Sequence, residues 1–507
     1  MQNLYQTYRE KMARITDLSY ASSVLNWDQE TYMPPKGAAL RSRQMATLAG
    51  ITHEMFVDPE IGKLLKTLSE DASLDDIQKR NVRESLRNYE KNLKYTTAFV
   101  EEMSRTVSES FLAWEKAKRA SDFSIFEKPL SKLVELKKKE CELLGYTDHP
   151  YDAQLDQYEP GAKTADLTKL FSDVRAQLVD FVREIAAQPQ VDDSVMHKFY
   201  AKDKQWDLGI ELLKQMGYDF EAGRQDISTH PFTTNFGASD VRVTTRIDEQ
   251  NLGDMIWSCI HEGGHALYEQ GIPGEEYGLP SGEYLSLGIH ESQSRLWENN
   301  VGRSLGYWKA NIGLLKKYFP EQLAGTDEHG FYKAMNKVQP SLIRTNADEL
   351  TYHFHVLIRF EIEKALFEGK ISVKELPEYW NARYKEYLGI DVPNHAQGVL
   401  QDIHWSHGSF GYFPTYSLGS FYAAQFYAAA QSAVPGLEKQ IESGELKPLL
   451  DWLREHVHRH GKTYTADELC MRITGEKLNF AHFMNYARKK YAGIYELKVK
   501  IKEIERN

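Results

Sequence analysis

The sequence is poor in cysteine, with three among its 507 residues. Cys141, Cys259 and Cys470 lie far apart, and none belongs to a C-x-x-C pair that could bind zinc. An odd number of isolated cysteines gives no disulfide framework and is typical of a protein kept in a reducing compartment. The cellular location predicted from this pattern is the cytoplasm.

The chain also lacks long apolar runs and an excess of positive charge. It contains no stretch of 18 or more apolar residues, so neither a transmembrane helix nor a membrane partner is expected. Residues 1–17 are charged and have no apolar core, so a signal peptide is not expected either. Lysine and arginine total 62 against 73 aspartate and glutamate residues, a net charge of −11. This balance argues against a nucleic-acid partner.

What the chain does contain is a succession of helical patterns, which predict a mainly α fold. No linker, low-complexity segment or repeat divides the sequence, so one domain spanning 1–507 is expected. Its predicted regions are a helical N-terminal part (about 1–225), a metal and substrate part (about 226–420) and a helical C-terminal part (about 421–507). The polar-aromatic segment 25–35 is predicted to be a loop, which is either functional or, as favoured, a connection between helices anchored by a buried tryptophan. The basic end 498–506 is predicted to be a solvated face. The helices are predicted at 4–23, 41–54, 75–93, 95–120, 165–187, 194–216, 289–298, 348–367 and 374–388.

One stretch departs from the helical pattern. Residues 228–247 are rich in threonine, valine and phenylalanine, and Val241, Val243 and Thr245 alternate along the chain. This composition and period are typical of a strand or hairpin. We therefore expect a small β-sheet just before the next helix, with an edge that could bind a peptide backbone as an added strand.

The sequence H-E-G-G-H at 261–265 is the strongest chemical pattern in the chain. On a helix, His261 and His265 project from one face and can offer two neutral ring nitrogens to one metal ion. Glu262 lies beside the first histidine, where its carboxylate can act as general base on a water molecule. The alternative is a solvated helix face that carries two histidines, but the nearby Trp257 and Tyr268 favour a pocket wall.

The helix itself is predicted independently of its chemistry. Asn251 is a suitable N-cap, and Asp254 places a negative charge in the first turn. Gly271 and Pro273 are typical of a helix end.

A catalytic zinc site needs three protein ligands and one open position. A third histidine in the pattern H-E-x-x-H-x-x-G-x-x-H is excluded, because Tyr268 and Gly271 occupy the required positions. Glu291, which lies on a following helix that can fold back, is one candidate, and Glu298 is its rival. Glu269 shares the face of His265 but lies about 12 Å beyond His261. The less rigid loop candidates are Glu275, Glu276 and Glu283.

A second cluster of functional residues is predicted at 398–416, where histidines, aromatic residues and glycines crowd together. The pattern H-E-x-x-H is typical of zinc metalloproteases. Their attack of water on a peptide carbonyl generates an oxyanion, which a hydrogen-bond donor must stabilise. The alternative is an aromatic core loop with two surface histidines. The candidate donors are Tyr416, His407, Tyr412 and His404, of which Tyr416 and His407 are preferred as catalytic residues.

The chain carries six short motifs in order, and through them it resembles the carboxypeptidase Taq family of zinc metallocarboxypeptidases over essentially its whole length. W-D-Q at 27–29 also fits this resemblance. The motifs are H-P-F at 230–232, D-V-R-V-T at 240–244, H-E-G-G-H at 261–265, H-E-S-Q at 290–293, I-R-T-N-A-D at 343–348 and G-V-L-Q-D-I-H-W at 398–405.

The expected fold is a large helical, bilobed domain with a small β-sheet beside the metal helix, and the resemblance implies a mostly helical fold with a deep active-site groove. This fold would be distantly similar to angiotensin-converting enzyme and neurolysin. It also implies one Zn²⁺ per chain, which a divalent metal such as Co²⁺ could replace, with Glu291 as third ligand. The implied activity is removal of single residues from peptides with a free C-terminus, by a homodimer.

The resemblance has one departure. Related enzymes often carry an acidic residue four positions after the ligand glutamate, whereas this chain has Arg295 there. The residues that orient the metal ligands must then come from elsewhere. Asp240 and Asp348 are the candidates.

A carboxypeptidase also needs a cation for the terminal carboxylate of its substrate, ideally an arginine that binds both oxygens. Arg344 is the first choice among Arg242, Arg246 and Arg344, which lie in or beside the motifs, although each could instead form a structural salt bridge. The further residues predicted to bind substrate are His230, Gln401, Asp402 and His404.

Two other functions remain open at this point. An oligopeptidase or endopeptidase would use the same chemistry on internal bonds. A non-catalytic helical scaffold that retains a metal site is the third possibility, and Glu262 argues against it because a structural zinc site needs no general base.

Overall fold

The structure, a computed structural model, describes residues 2–498. Helices and helical turns make up 69% of these described residues, which confirms the mainly α prediction. None of the helices in this described part is long and apolar enough to cross a membrane. The α-helices are α1 (Gln2–Thr31), α2 (Ala38–Phe56), α3 (Pro59–Ser69), α4 (Asp76–Asn92), α5 (Thr97–Ala120), α6 (Ser124–Leu144), α7 (Asp152–Tyr158), α8 (Thr164–Ala186), α9 (Lys202–Met216), α10 (Leu252–Glu269), α11 (Leu287–Arg295), α12 (Leu305–Tyr318), α13 (Glu328–Met335), α14 (Tyr352–Phe367), α15 (Leu376–Leu388), α16 (Phe413–Ala433), α17 (Leu437–Glu442), α18 (Lys447–His456), α19 (Ala466–Thr474) and α20 (Ala481–Tyr495).

Shorter helical turns connect several of these elements. A π-helical turn at Leu296–Gly302 directly follows α11. The 3-10 turns are Pro35–Gly37, Ser194–His197, Gly274–Glu276, Pro280–Gly282, Arg344–Asn346, Val373–Glu375, His404–His407 and His458–Thr463.

The chain forms two compact units, each assembled from three segments. The first unit contains Met1–Leu93, Asp192–Met335 and Tyr422–Leu478, and the second contains Lys94–Val191, Asn336–Phe421 and Asn479–Asn507. The single domain with its three predicted regions stays a prediction, as do the bilobed shape and the groove.

The first unit holds a three-stranded sheet, β1 (Gly223–Ile227), β2 (Thr233–Asn235) and β3 (Val241–Thr245), in the order β1-β3-β2. β3 runs antiparallel to β2 and parallel to β1. Val241 and Val243 are buried on β3, as their alternation predicts. β1 was not predicted, because its sequence G-R-Q-D-I has almost no apolar pattern. α10 packs against β3, α9 and α11, so the predicted sheet beside the metal-pattern helix is confirmed.

Several predicted helices are confirmed, including those at 75–93, 165–187 and 374–388. The predicted loop at 25–35 is wrong, because α1 continues through W-D-Q to Thr31. This segment has no glycine or proline before Pro34, so the helix persists until the two prolines disfavour it. Within it, Trp27 is buried.

The helix predicted at 194–216 is interrupted, because a 3-10 turn ends at His197 and α9 begins only at Lys202. Between them, the buried Tyr200 donates its main-chain N–H to the carbonyl oxygen of Glu249 at 2.7 Å. This contact turns the chain away from a continuous helix. The basic end predicted at 498–506 lies, apart from Lys498, outside the described residues.

α14 belongs to the second unit and is buried over nearly its whole length. It packs against α6, α8 and α15, which all belong to the same unit. A helix covered on all sides must pair any polar side chain that it carries. His355, Arg359 and Glu363 are such residues, and each is fully buried.

Candidate active site and metal centre

Local sequence explains why α10 and α11 meet closely. The Asn251 side chain caps α10 by accepting the N–H of Gly253 at 3.1 Å, as predicted. Ser286 caps α11 by accepting the N–H of Ile289 at 3.2 Å. Between the two helices, a Cβ at Gly264 would lie only 2.7 Å from the carbonyl oxygen of Gln293. Glycine at this position therefore permits the close crossing that presents α11 to the histidines of α10.

The metal-pattern histidines of α10 converge on Glu291 of α11. Glu291 Oε2 lies 3.7 Å from His261 Nε2 and 3.4 Å from His265 Nε2. Ligand atoms of a tetrahedral zinc site with bonds of ~2.0–2.1 Å are about 3.3 Å apart. The two imidazole nitrogens and the carboxylate oxygen therefore have both the chemistry and the spacing for such an ion. Within residues 2–498, no other group of histidine, cysteine and acidic side chains gathers in this way.

The other ring nitrogen of each histidine also has a partner. His261 Nδ1 lies 2.8 Å from Glu298 Oε2, and His265 Nδ1 lies 2.5 Å from His290 Nδ1. His290 Nε2 in turn lies 2.7 Å from Glu269 Oε1. Such partners fix the orientation and tautomer of a metal-ligating imidazole. The geometry thus separates the two rival glutamates, since Glu291 faces both Nε2 atoms and Glu298 faces the far side of one ring.

The partners named from the sequence, Asp240 and Asp348, are wrong. Asp240 instead accepts two hydrogen bonds from Arg242 at 2.8 Å. Asp348 accepts main-chain N–H groups, including that of Thr351 at 3.0 Å. Sequence analysis places His290 in a motif but does not identify it as a site residue. The π-helical turn that contains Glu298 has no local sequence pattern that predicts it.

Arginine side chains fix the charges around this centre. Arg295 Nε donates to Glu291 Oε1 at 2.7 Å, and its Nη1 donates to Glu298 Oε2 at 3.2 Å. Burial alone would raise the pKa of both glutamates, but Arg295 and the histidines outweigh it and hold each pKa well below its usual value. Arg295, which stands where related enzymes often have an acidic residue, therefore holds two carboxylates in their ionised form.

The two histidines respond differently to the same surroundings. Burial, reinforced by His290, lowers the pKa of His265 to about 3, so its ring is neutral as a ligand must be. Burial also opposes the charged form of His261, but Glu291 and Glu298 outweigh it and raise its pKa. Binding of a cation would oppose this protonation.

The side chain of Glu262 forms a hydrogen bond with the first residue of β2. This carboxylate accepts a hydrogen bond from Thr233 Oγ1 at 2.7 Å, where Thr233 is the first residue of β2. Burial raises the pKa of Glu262, which makes its carboxylate a stronger proton acceptor. Thr233 was not predicted as a site residue, although it directly follows the H-P-F motif.

In the second unit, two of the predicted residues, Asp402 and Gln401, form hydrogen bonds with Arg344. Its Nε and Nη2 donate to Asp402 Oδ1 at 3.1 and 3.0 Å. The Gln401 side chain accepts the main-chain N–H of Arg344 at 2.9 Å. The other oxygen of Asp402 accepts from Arg359 Nε at 2.7 Å, and Lys118 donates to the carbonyl oxygen of Gln401 at 2.9 Å. Sequence reasoning missed Arg359 and Lys118, which lie outside the motifs.

The predicted oxyanion donors divide into two groups. His404 Nε2 lies 3.1 Å from the Tyr416 hydroxyl, and the Tyr412 ring lies against both side chains. Burial and the neighbouring Arg344 lower the pKa of His404 to about 3, so its ring is neutral. His407 is exposed instead and packs its ring on Phe111. The structure therefore brings Tyr416 together with His404 rather than with His407.

The remaining predicted substrate residues belong to the first unit. Arg242 pairs with Asp240 and stacks on Trp27 at 4.4 Å. Arg246 is half-exposed and pairs with Asp254 at 2.8 Å. His230 is exposed. Each of the three candidate arginines thus already has an aspartate partner, and their roles towards substrate stay predictions.

A helical protein whose H-E-x-x-H histidines converge on a glutamate of a following helix, beside a buried glutamate base, has the site of a metallopeptidase. Comparison with known proteins gives the family. A model of the carboxypeptidase Taq (M32) metallopeptidase family matches residues 7–491. The chain belongs to this family, so the resemblance stated above is confirmed, and it is a metallocarboxypeptidase.

Individual relatives agree with this assignment. The chain is 40% identical over 504 residues to thermostable carboxypeptidase 1 of Thermus thermophilus, a match that covers 97% of this chain and 99% of that one. It is 38% identical over 490 residues to carboxypeptidase 1 of Bacillus subtilis, covering 96% and 97% of the two chains. Among solved structures, the M32 carboxypeptidase from Deinococcus radiodurans is similar with a TM-score of 0.96 and 39% identity, covering 98% of this chain and 100% of that one.

Proposed function

We propose that the protein releases single amino acids from the C-termini of peptides, with one zinc ion held by His261, His265 and Glu291. The observation that carries this proposal is the convergence of both Nε2 atoms on Glu291 Oε2, at 3.7 and 3.4 Å, beside the buried Glu262. Two imidazoles and one carboxylate are a donor set that suits Zn²⁺, and Co²⁺ accepts the same set.

Glu262 is proposed as the general base. A bound zinc ion supplies Lewis acidity, which polarises the scissile carbonyl and makes a water molecule more acidic. Glu262 then accepts a proton from the attacking water at a carboxylate oxygen and later delivers it to the nitrogen of the leaving amino acid, as the C–N bond breaks. The hydrogen bond from Thr233 keeps this carboxylate in one orientation.

Arg344 is proposed to receive the terminal carboxylate of the substrate. Its aspartate partner, Asp402, is shared with Arg359, so two guanidinium groups face one carboxylate and one positive charge is left over. Both arginines are buried, and an excess charge in such surroundings favours an anionic ligand. Arg242 and Arg246 each pair one-to-one with an aspartate and carry no such excess. Gln401, Asp402 and His404 support this position in the proposal.

Tyr416 is proposed as the hydrogen-bond donor to the oxyanion, with His407 as the alternative. Support for Tyr416 comes from His404, whose neutral ring lies 3.1 Å from the hydroxyl and can accept or donate there. The role of His230 in binding substrate remains part of the proposal.

Mass spectrometry of a defined peptide after digestion tests the proposed function. We expect a ladder of products that differ by one C-terminal residue, and no products when a chelator removes the metal. Glu262→Gln is the matched control, because it keeps the shape of the side chain but not its basicity. It should retain metal and lose about 10²–10⁴ in kcat. Substantial turnover by this variant would place the base elsewhere, and internal fragments would favour the oligopeptidase alternative.

Two further proposals concern the whole protein. A homodimer is supported by the family assignment, and sedimentation velocity would measure it directly. A cytoplasmic location is supported by three buried cysteine thiols, which cell fractionation would test.

A further inference from the structure

A buried carboxylate on α14 accepts hydrogen bonds from the segment that holds the proposed oxyanion donors. Glu363 is fully buried, and its Oε1 accepts from Trp405 Nε1 at 2.8 Å. Its Oε2 accepts from the main-chain N–H of Gly411 at 2.8 Å and from the Tyr151 hydroxyl at 2.5 Å. One side chain thus uses both oxygens on three donors, two of which belong to residues 404–416.

The two loop donors lie between the functional residues His404 and Tyr416 in the sequence. Trp405 directly follows His404, and Gly411 directly precedes Tyr412 and the start of α16, which carries Tyr416. Gly411 has a φ of +90°, and a Cβ there would lie 2.7 Å from the main chain of Gln154. The main chain at this point therefore has little room to move, and its N–H is aimed at the carboxylate.

α14 makes a third contact with this part of the chain, through Arg359. Arg359 lies one helical turn before Glu363 and pairs with Asp402, two residues before His404. The helix therefore holds the chain at 402, 405 and 411, on both sides of His404. Glu363 lies outside all six motifs, and the proposed mechanism does not use it.

We propose that Glu363 is a positioning residue for catalysis, which sets the placement of His404 and Tyr416 by accepting hydrogen bonds from Trp405 and Gly411. This inference rests on the proposed function, because it requires that these two side chains act on substrate. Glu363 itself touches no reacting atom in this account.

The isosteric variant Glu363→Gln tests the inference, because an amide has one oxygen where the carboxylate has two. Whichever way the amide turns, either Trp405 or the pair Gly411 and Tyr151 loses its acceptor. A misplacement of about 1 Å can cost about 10²-fold in rate. We expect kcat to fall about 10- to 100-fold, while KM changes much less because the terminal carboxylate site at Arg344 is retained.

Tyr151→Phe is the matched control. It removes one hydrogen bond from the same carboxylate, but that donor belongs to the start of α7 and not to the 404–416 segment. We expect its thermal unfolding midpoint to fall and its kcat to stay within about twofold of the unaltered protein. Equal losses of kcat in Tyr151→Phe and Glu363→Gln would mean that Glu363 acts only through general stability, and would overturn the inference.

The dependence of kcat on pH gives a second measurement, which would not change if Glu363 had a purely structural role. Burial raises the pKa of Glu363 to about 7, against the opposing effects of Tyr151 and Arg359, and Tyr158 also faces it. The ionised form that accepts all three hydrogen bonds is present above pH 7 and is lost below it. As the pH falls from 8 to 6, the unaltered protein loses the ionised form of Glu363 and becomes more like Glu363→Gln. The ratio of the variant's kcat to that of the unaltered protein should therefore rise towards one. A constant ratio would contradict the inference.

If Glu363→Gln does not fold, Trp405→Phe decides, since it removes one loop donor and leaves the carboxylate intact. An unchanged kcat in Trp405→Phe would overturn the inference. The proposed function fails separately, when the unaltered protein releases no C-terminal amino acids. If the unaltered protein does release them and Glu363→Gln does so at the same rate, only the positioning role fails.

Discussion

Gly264→Ala should weaken metal binding, because the added methyl group meets main chain. Its Cβ would lie 2.7 Å from both the carbonyl oxygen of Gln293 and the Cα of Ser294, about 0.7 Å short of ordinary contact at 3.4 Å. Neither atom can rotate away, so α11 must shift and carry Glu291 with it. Overpacking of this kind costs about 1–3 kcal/mol, of which alanine recovers about 0.5–1 kcal/mol through its helix propensity. Loss of a residue that orients a metal ligand costs about 10- to 100-fold in metal affinity, and displacing the ligand Glu291 should cost at least as much.

Gly263→Ala is the neighbouring control. Its Cβ would meet only the tips of Leu213 and Met216, which are flexible side chains and can turn aside. Competition with a chromophoric chelator measures the metal affinity of each variant, and calorimetry measures its thermal unfolding midpoint. We expect Gly263→Ala to resemble the unaltered protein in both. If Gly264→Ala binds metal as tightly as Gly263→Ala, the close crossing of α10 and α11 does not position Glu291, and the reasoning is refuted.

Two further predictions concern individual side chains. Glu291→Ala should abolish metal binding, whereas Glu298→Ala should keep a metal ion with about 10- to 100-fold weaker affinity, because it removes only the group that orients His261. Metal analysis of the purified variants distinguishes the two, and full metal content in Glu291→Ala with loss in Glu298→Ala would reverse the roles. Tyr416→Phe should lower kcat about 10²–10³-fold by removing an oxyanion donor, and steady-state kinetics with an unchanged kcat would pass that role to His407.

Much of the metal helix could be predicted from sequence because its determinants are local. Asn251 as cap and the four-residue spacing of His261 and His265 are properties of one helix, and both appear as predicted. The strand at Val241 was equally readable from its alternation. β1 was not, since a short polar strand is stabilised by its neighbour and not by its own pattern.

The contacts between elements were harder to predict. Glu298, which contacts His261, lies in the π-helical turn that follows α11, and His290 contacts His265 where α10 and α11 pack closely at Gly264. The pairing of Arg344 with Asp402 likewise joins residues 58 positions apart. Sequence spacing identifies which residues carry chemistry, but such non-local contacts depend on packing that no single segment encodes.

A carboxypeptidase recognises the free C-terminal carboxylate of its substrate, and one comparison tests this recognition directly. The same peptide is offered with a free C-terminal carboxylate and with an amidated one, and kcat/KM is measured for each by the appearance of the released residue. Loss of a buried charge pair costs about 2–5 kcal/mol, so amidation should lower kcat/KM by about 30-fold or more.

Arg344→Ala should narrow that difference by slowing the free acid far more than the amide, while Arg246→Ala leaves the difference unchanged. Cleavage of both peptides at comparable rates, with internal fragments among the products, would contradict the carboxypeptidase account.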